Sequence, residues 1–378
     1  MIYFDNAATS LPKPPTVGQA ILKAMETFGG AGRGGHPASL HASRCIFKAR
    51  KAVADLLGSA PERTVFTCNA TESLNIAIGG LLKADDHVIT TALEHNSVLR
   101  PLYRLRAKGM PLSIVPADTK GNLDYDQFRK CLRPNTKAVV CTHASNVTGT
   151  ILDLEFIASF CKDNHLLFIV DASQTAGVFP INADGLGIDV LCFTGHKGLL
   201  GPQGTGGLCV RQGLSIPSMK VGGSGIHSYS EIHPVELPEA LEAGTPNAHG
   251  IAGLFAGIEY IRETGMETIR NQELALCRQF VEGVQSIQGV RVYGDHKRSH
   301  APIVSLNINN LDSGDVGDRL ANQYGICVRS GAHCAPLIHM TLGTQNQGAV
   351  RFSFSSFNTD EEIQAGIDAL VEIAGGKR

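Results

Sequence analysis

Phe193-Thr194-Gly195-His196-Lys197 is the stretch that decides the fold of this chain. It ends an apolar, β-rich run, and Lys197 follows Asp171, which ends an earlier run of the same kind, by 26 residues. A lysine amine at a strand end can form a Schiff base with an aldehyde, and an acidic side chain at a neighbouring strand end can pair with a pyridinium nitrogen. The sequence therefore predicts an α/β fold that holds pyridoxal phosphate (PLP).

Short apolar runs alternate with longer helix-like stretches on both sides of this motif. Because most of the runs are continuously apolar, they are typical of strands covered on both faces. The alternation predicts a large domain with a mostly parallel, seven-stranded sheet flanked by helices, and the closeness of the last two runs predicts an antiparallel final strand. The seven runs are Thr64–Thr67, His87–Thr91, Leu112–Val115, Ala138–Thr142, Leu167–Val170, Val190–Thr194 and Gly207–Val210.

The pattern changes after Gly250 and predicts a smaller α+β domain over residues 251–378, behind a large domain over 16–250 and an N-terminal segment, 1–15, near the active site. A capping box, Thr359-Asp360-Glu361-Glu362, predicts the start of the terminal helix. The predicted helices and strands of this part are Ile251–Arg262, Glu267–Val284, Val290–Tyr293, Ile303–Ile308, Ile326–Arg329 and Val350–Phe354.

The composition is that of an ordinary globular enzyme. Of 378 residues, 43% are hydrophobic and 18% charged, and the net charge is −2, which gives no reason to expect nucleic acid as a partner. No apolar run approaches the roughly 18 residues of a membrane span. The first residues lack the basic and apolar regions of a signal peptide, so we expect a cytoplasmic protein that does not contact a membrane.

The ten cysteines include no CxxC pair, and we predict neither a disulfide framework nor a metal site. Cys68, Cys141, Cys192 and Cys209 lie in or beside apolar runs and are interpreted as buried small hydrophobes. Cys334 differs, because it lies in a polar loop, Arg329–Ala335, where a thiol would be accessible.

Several strand ends carry groups suited to the cofactor. Asn69-Ala70-Thr71-Glu72 opens a helix after a strand, where free N–H groups and the helix dipole favour a phosphate. Asp171 would keep the pyridine ring protonated, and Gln174 could reach its phenolic oxygen. Each signal alone is weak: Asp171 could be a helix N-cap, and His95, which could stack on the ring, could be structural.

At this point the chain resembles the class V aminotransferase-like PLP enzymes of fold type I, and most closely the cysteine desulfurase and selenocysteine lyase family. The resemblance runs nearly from end to end. The motifs that carry it are Asp5-Asn6-Ala7-Ala8, Ser145-Asn146-Val147-Thr148-Gly149, Asp171-Ala172-Ser173-Gln174, Gly195-His196-Lys197-Gly198, Glu242-Ala243-Gly244-Thr245-Pro246-Asn247 and Arg329-Ser330-Gly331-Ala332-His333-Cys334-Ala335.

The resemblance implies a role for each matching residue. Lys197 would bind PLP covalently and move the Cα proton, Cys334 would accept sulfur as a persulfide, and His95 would stack on the ring and join the catalysis. Thr245 would reach the phosphate of a neighbouring subunit, which implies a homodimer. The remaining implied residues are Ala70, Thr71, Thr194 and His196 at the phosphate, Asp171 and Gln174 at the ring, and Ala8, Asn146 and Arg351 at the substrate.

The Cys334 loop is similar to group II of the family, while the segment Gly35–His41 is more similar to group I. A thiol is only a few per cent ionised at neutral pH, so we expect the site to assist it. His95, His333 and Arg329 are the candidate sources of positive charge or proton transfer.

The expected activity is PLP-dependent conversion of L-cysteine to L-alanine, with sulfur passed through Cys334 to an acceptor protein. One alternative is a selenocysteine lyase, which would share every cofactor residue and use Cys334 to discriminate selenium from sulfur. An aminotransferase or C–C lyase is disfavoured by Cys334. A sulfur-carrier or scaffold protein with a degenerate PLP site is disfavoured by the intact Lys197, Asp171 and Arg351.

Overall fold

The computed structural model describes residues 1–32 and 34–375. The strands are β1 (Ile2–Tyr3), β2 (Thr64–Thr67), β3 (His87–Thr91), β4 (Leu112–Val115), β5 (Thr136–Thr142), β6 (Leu167–Asp171), β7 (Val190–Thr194), β8 (Gly206–Val210), β9 (Val290–Tyr293), β10 (Ile303–Ile308), β11 (Ile326–Cys327), β12 (Arg329–Gly331) and β13 (Ala349–Ser353). The helices are α1 (Pro15–Thr27), α2 (Pro37–Leu57), α3 (Ala70–Leu81), α4 (Asn96–Arg106), α5 (Asp126–Cys131), α6 (Leu154–Asp163), α7 (Ala183–Leu186), α8 (Ala248–Thr264), α9 (Met266–Val284), α10 (Ser313–Tyr324), α11 (Pro336–Leu342) and α12 (Asp360–Ala374).

The central sheet has seven strands in the order β2-β8-β7-β6-β5-β3-β4. Its neighbours run parallel except at β8, which is antiparallel to both β7 and β2. The predicted α/β class, the mostly parallel seven-stranded sheet and the antiparallel final strand are therefore confirmed. Strands β3 and β7 are buried along their whole length, as expected of strands that are covered on both faces.

A second sheet has four antiparallel strands in the order β12-β13-β10-β9. Phe280, Phe352 and Phe354 pack there with Phe4 from the N-terminal segment. The terminal helix α12 begins with the predicted capping box, in which Thr359 and Glu362 each bond the other's backbone N–H. The first residues of the chain are therefore built into the core of the C-terminal sheet.

Two local predictions are wrong. The run Ile326–Arg329 is not one strand: β11 pairs with β1, whereas β12 pairs with β13, so the chain changes sheets at Val328. Cys68 is exposed rather than buried, because it follows the last residue of β2 and lies outside the sheet. The other three cysteines of that group are buried. Within the described residues, none of the helices has the length and apolar character needed to cross a membrane.

Candidate active site

The N-terminus of α3 offers two unpaired backbone donors. Asn69 caps the helix by accepting a hydrogen bond from the N–H of Glu72 at 3.0 Å. The N–H groups of Ala70 and Thr71 make no hydrogen bond to any described residue. Because both point out of a helix N-terminus, they suit an anion such as a phosphate.

Two further polar groups, one at the end of β7 and one two residues later, lack partners among the described residues. The register pairs Thr194 of β7 with Gly206 of β8, and Gly206 in turn with Thr67 of β2. A Cβ on Gly206 would lie 2.6 Å from the Cα of Asn69, so only glycine lets the helix end approach β7. Thr194 Oγ1 and His196 Nδ1 are buried with no hydrogen-bond partner among the described residues. Unpaired buried donors and acceptors of this kind indicate a polar ligand.

Asp171 ends β6, where its carboxylate is 3% exposed. Its Oδ1 atom accepts from the N–H of Ser173 at 2.9 Å and from Ser173 Oγ at 2.5 Å. Its Oδ2 atom accepts from none of the described residues and is available to a protonated ring nitrogen. Gln174, which follows, donates to the carbonyl of Ala7 at 3.2 Å and is thereby tied to the N-terminal segment.

Lys197 follows β7 by three residues, and its amine has no hydrogen-bond partner among the described residues. Burial, followed by the positive charge of Arg351, lowers the pKa of this amine to about 8, while Asp171 opposes the shift. An appreciable fraction of the amine is therefore unprotonated near neutral pH, which is the form that attacks an aldehyde.

His95 caps α4, and its Nδ1 accepts from the N–H of Ser97 at 3.0 Å. The neutral ring therefore carries its proton on Nε2. Burial lowers the pKa of His95 to about 4, although Asp171 opposes the shift. Ser97 also bonds the hydroxyl of Thr71 at 2.7 Å, so the starts of α3 and α4 are joined. Sequence reasoning did not identify Ser97 as part of the site, because its only signal is its position two residues after His95, at the start of α4.

Arg351 and Asn146 lie together beneath the Cys334 loop. Arg351 donates to the carbonyl of Asn146 at 3.0 Å and pairs with Asp5 at 3.1 Å. Asp5 also pairs with Arg329 at 3.0 Å, so one carboxylate serves two guanidinium groups. Arg351 Nε and Asn146 Oδ1 are buried without a partner among the described residues. Asp5 was quoted in a motif but given no role, and nothing in its local sequence signals the pairing.

The Cys334 loop has a strained backbone. His333 and Cys334 have φ angles of 49° and 56°, in the left-handed region that costs a residue with a side chain about 1–3 kcal/mol. Several hydrogen bonds hold this conformation. Asn146 Nδ2 donates to the carbonyl of His333 at 2.7 Å, the N–H of Asn96 donates to that of Cys334 at 2.7 Å, and the His333 ring bonds the carbonyl of Ala349 at 3.0 Å. The backbone of the exposed Cys334 is thus anchored to Asn96, the residue that follows His95.

Positive charge at this loop comes from arginine rather than histidine. Burial lowers the pKa of His333 well below its usual value, as it does that of His95, so both rings are neutral at pH 7. Arg329 stays charged, because its hydrogen bond to Asp5 raises its pKa. Of the three groups expected to assist the thiol, only Arg329 therefore supplies a permanent charge, and the histidines are left for proton transfer.

Thr245 is the predicted site residue that the chain does not bring to the others. It is exposed and makes no hydrogen bond to the described residues. Ala8, by contrast, lies in a turn that the N–H of Ser10 ties to the carbonyl of His196 at 3.0 Å. Asp171, Thr194 and Lys197 lie at or just after the C-terminal ends of parallel strands of the central sheet, where α/β sheets bind ligands, whereas Arg351 lies on β13 of the second sheet and Cys334 lies in the loop before α11.

These groups fit PLP. The free N–H groups of Ala70 and Thr71, with Thr194 Oγ1 and His196 Nδ1, suit its phosphate, while Asp171 and Lys197 suit its ring nitrogen and aldehyde.

Comparison with known proteins gives one consistent result. The aminotransferase class V family model matches residues 2–365. A probable cysteine desulfurase from Methanothermobacter thermautotrophicus is 36% identical over 382 residues, covering 99% of this chain and 95% of that protein. The apo structure of a cysteine desulfurase from Thermococcus onnurineus NA1 has a TM-score of 0.94 at 38% identity, covering 99% of this chain and 95% of that one. The Escherichia coli cysteine desulfurase CsdA, in an S-sulfonic acid form, has a TM-score of 0.88 at 27% identity, covering 97% and 93%.

Proposed function

The chain belongs to the cysteine desulfurases of the class V aminotransferase family, and we propose that it converts L-cysteine to L-alanine with PLP and takes the sulfur onto Cys334. One observation carries this proposal. The exposed Cys334 is hydrogen-bonded through its carbonyl to Asn96, next to His95, at the site where Lys197 has a lowered pKa. A thiol nucleophile and an amine suited to PLP thus share one site, which an aminotransferase would not require.

The cofactor would be held by residues of four strand ends. Ala70, Thr71, Thr194 and His196 would bind the phosphate, Asp171 and Gln174 the ring, and His95 would stack on the ring. When bound, PLP stabilises the electron pair left at Cα after its proton is removed. Lys197, once displaced by the substrate, is the group with a pKa suited to removing that proton near neutral pH.

The substrate carboxylate would bind at Arg351 and Asn146, near Ala8. Arg351 has an unpaired Nε and shares Asp5 with Arg329, so an incoming carboxylate competes with Asp5 for the guanidinium. Asn146 Nδ2 has two N–H donors, and one of them already serves the carbonyl of His333 at 2.7 Å, so the other can serve the substrate carboxylate. Asn146 would therefore connect the bound substrate to the Cys334 loop.

Sulfur transfer would follow from the position of Cys334. Its thiolate attacks the substrate sulfur, forming an S–S bond while the C–S bond breaks, and the C–S electron pair stays on the carbon that becomes the alanine methyl group. Arg329, whose charge interacts with Cys334, would stabilise the thiolate. The neutral rings of His95 and His333 can each move a proton during the transfer.

Arg351→Ala is expected to damage substrate binding far more than cofactor binding. Loss of a charge-assisted bidentate contact should cost about 2–4 kcal/mol, which raises the KM for cysteine about 30- to 1,000-fold. Steady-state kinetics and a separate PLP titration measure the two effects. Arg211→Ala, which removes an arginine paired with Asp189 elsewhere, is the control and should leave KM unchanged. An unchanged KM in Arg351→Ala would contradict the assignment.

A homodimer with shared sites is the assembly that we propose. Residues 211–247 contain no helix or strand and expose a row of large apolar side chains before the exposed Thr245. Several large apolar side chains exposed within one short segment are consistent with an interface. The exposed residues are Met219, Val221, Ile226, Tyr229, Ile232 and Val235.

Charge placed on this surface should dissociate the dimer. Tyr229 is fully exposed, so Tyr229→Asp should not affect the folded subunit, yet it should weaken association and activity together. Val371→Asp puts the same charge on an exposed residue of α12 and serves as the control. Sedimentation and activity at one concentration measure the outcome, and a wild-type monomer with full activity would rule the proposal out.

The test of the function itself compares two substrates. The purified protein should show the near-visible absorbance of bound PLP and release alanine from cysteine at a rate comparable with that from selenocysteine. A selenocysteine lyase would be slow on cysteine, and a scaffold protein slow on both. The comparisons favour the desulfurase, since the relatives above are named cysteine desulfurases. The acceptor protein, the domain division at residue 250 and the cytoplasmic location stay predictions.

A further inference from the structure

A second cluster of reactive side chains lies outside the candidate active site. Cys277 is on α9, and His296 and His300 are in the connection between β9 and β10. One ligand atom from each residue lies within 4.8 Å of the other two. Cys277 and His300 are buried and His296 is half-buried. The site described above uses none of the three.

The hydrogen bonds of His296 fix which of its nitrogens is free. Its Nε2 lies 3.1 Å from the carbonyl of Tyr293, and because a carbonyl only accepts, Nε2 carries the proton. Nδ1 then has a bare lone pair, and it is buried without a partner among the described residues. A histidine that donates one N–H to a backbone carbonyl and aims its other nitrogen at a shared centre has the arrangement of a metal ligand.

His300 and Cys277 complete the cluster. Nδ1 of His300 donates to the carbonyl of Ala301 at 2.8 Å, so the lone pair of the neutral ring is on Nε2, and the sulfur of Cys277 lies 4.0 Å from Nδ1 of the same ring. Burial raises the pKa of Cys277 to about 12, so without a cation the group remains a neutral thiol. A divalent metal ion reverses this preference by coordinating the thiolate. Asp295, whose charge acts on His296, lies near enough to offset part of the cation's charge.

We propose that Cys277, His296 and His300 bind one Zn²⁺ ion through a thiolate and two imidazole nitrogens. Zn²⁺ favours this N₂S donor set in tetrahedral geometry, with water as the fourth ligand. Bond lengths of about 2.0–2.3 Å imply ligand atoms about 3.3–3.6 Å apart. From separations of up to 4.8 Å, the ligand atoms would have to approach one another by little more than about 1 Å. Binding releases the Cys277 proton to solvent. The sequence, which lacks a CxxC pair, predicted no metal.

The site would secure a loop that supports the predicted substrate residues. His300 forms a bridge with Thr150, and the N–H of Ala301 donates to the carbonyl of Gly149 at 2.7 Å. Asn146 is in the same turn, because the N–H of Gly149 bonds the carbonyl of Ser145 at 3.0 Å. Zinc would therefore join α9, the β9–β10 connection and the Asn146 turn.

Cobalt titration of the full-length holoenzyme tests this proposal. Co²⁺ is added in the Cys334→Ser background, which removes the exposed loop thiol that would also bind metal. One equivalent should produce a thiolate-to-cobalt charge-transfer band, which Zn²⁺ abolishes by displacement. The band should be lost in Cys277→Ala and kept in Cys161→Ala, which removes another buried helix cysteine.

His296→Gln provides a second test of zinc binding if Cys277→Ala does not fold. Because His296 is only half-buried, its replacement should leave the fold intact. Loss of a direct ligand should weaken Zn²⁺ binding by more than the about 100-fold that loss of an outer partner can cost. His249→Gln, at an exposed position on α8, is its control. Absence of the band, or unchanged zinc affinity in His296→Gln, would overturn the proposal whatever the activity of the enzyme.

Discussion

Lys197→Ala is expected to abolish the covalent attachment of PLP and to lower the turnover of cysteine by about 10³-fold or more. Lys197 is the unpaired amine at the end of β7, and burial lowers its pKa to about 8. The variant loses both the nucleophile for the aldehyde and the base for the Cα proton. Borohydride reduction followed by peptide mass spectrometry measures the attachment, because reduction makes it permanent.

Lys13 is the matched control for this experiment. Burial lowers its pKa to about 8 as well, and its amine lies 3.3 Å from the carbonyl of His196, beside Lys197. Its ammonium donates to Ser10 at 2.8 Å, however, and it lies on the N-terminal segment rather than at a strand end. Lys13→Ala should keep the reducible linkage. If the reducible linkage survived in Lys197→Ala and disappeared in Lys13→Ala, PLP would be attached to Lys13, and the assignment to Lys197 would be wrong.

The strands of the central sheet could be predicted to within two residues from the sequence. Thr64–Thr67, His87–Thr91 and Val190–Thr194 are apolar runs bounded by polar residues, and burial on both faces imposes that composition. The run Ile326–Arg329 misled the prediction because β-rich composition does not reveal a change of sheet. The pairing of strands that are distant in the sequence, such as β1 with β11, cannot be predicted from the residues of either strand alone.

The chemistry of the candidate site was less accessible to sequence reasoning. Residue types at strand ends indicated which groups could act, but not their ionisation, which depends on burial in the folded chain. His333 was a candidate source of positive charge or of proton transfer, and burial keeps its ring neutral, which leaves proton transfer. Asp5 pairs with Arg351 across 346 positions of sequence, so its influence on the carboxylate site becomes visible only in the fold.

Cys334→Ala is expected to retain PLP and substrate binding but to lose the release of alanine from cysteine. Lys197 and Arg351 are intact in this variant, so the Cα proton of cysteine should still exchange with solvent. No thiolate remains to take the substrate sulfur, so turnover should fall to background. Wild type given cysteine without a reductant should gain one sulfur atom on the peptide that contains Cys334, which mass spectrometry detects.

Cys68 provides the rival thiol that makes this experiment decisive, since it and Cys334 are the exposed cysteines of the described chain. Burial and the neighbouring Glu72 raise the pKa of Cys68, which disfavours its thiolate, so Cys68→Ala should keep full turnover and Cys334 should still gain the sulfur. A selenocysteine lyase would behave differently, because its Cys334→Ala variant would keep substantial activity on selenocysteine. Full cysteine turnover by Cys334→Ala would make Cys334 an ordinary loop cysteine and remove the sulfur-transfer mechanism argued above.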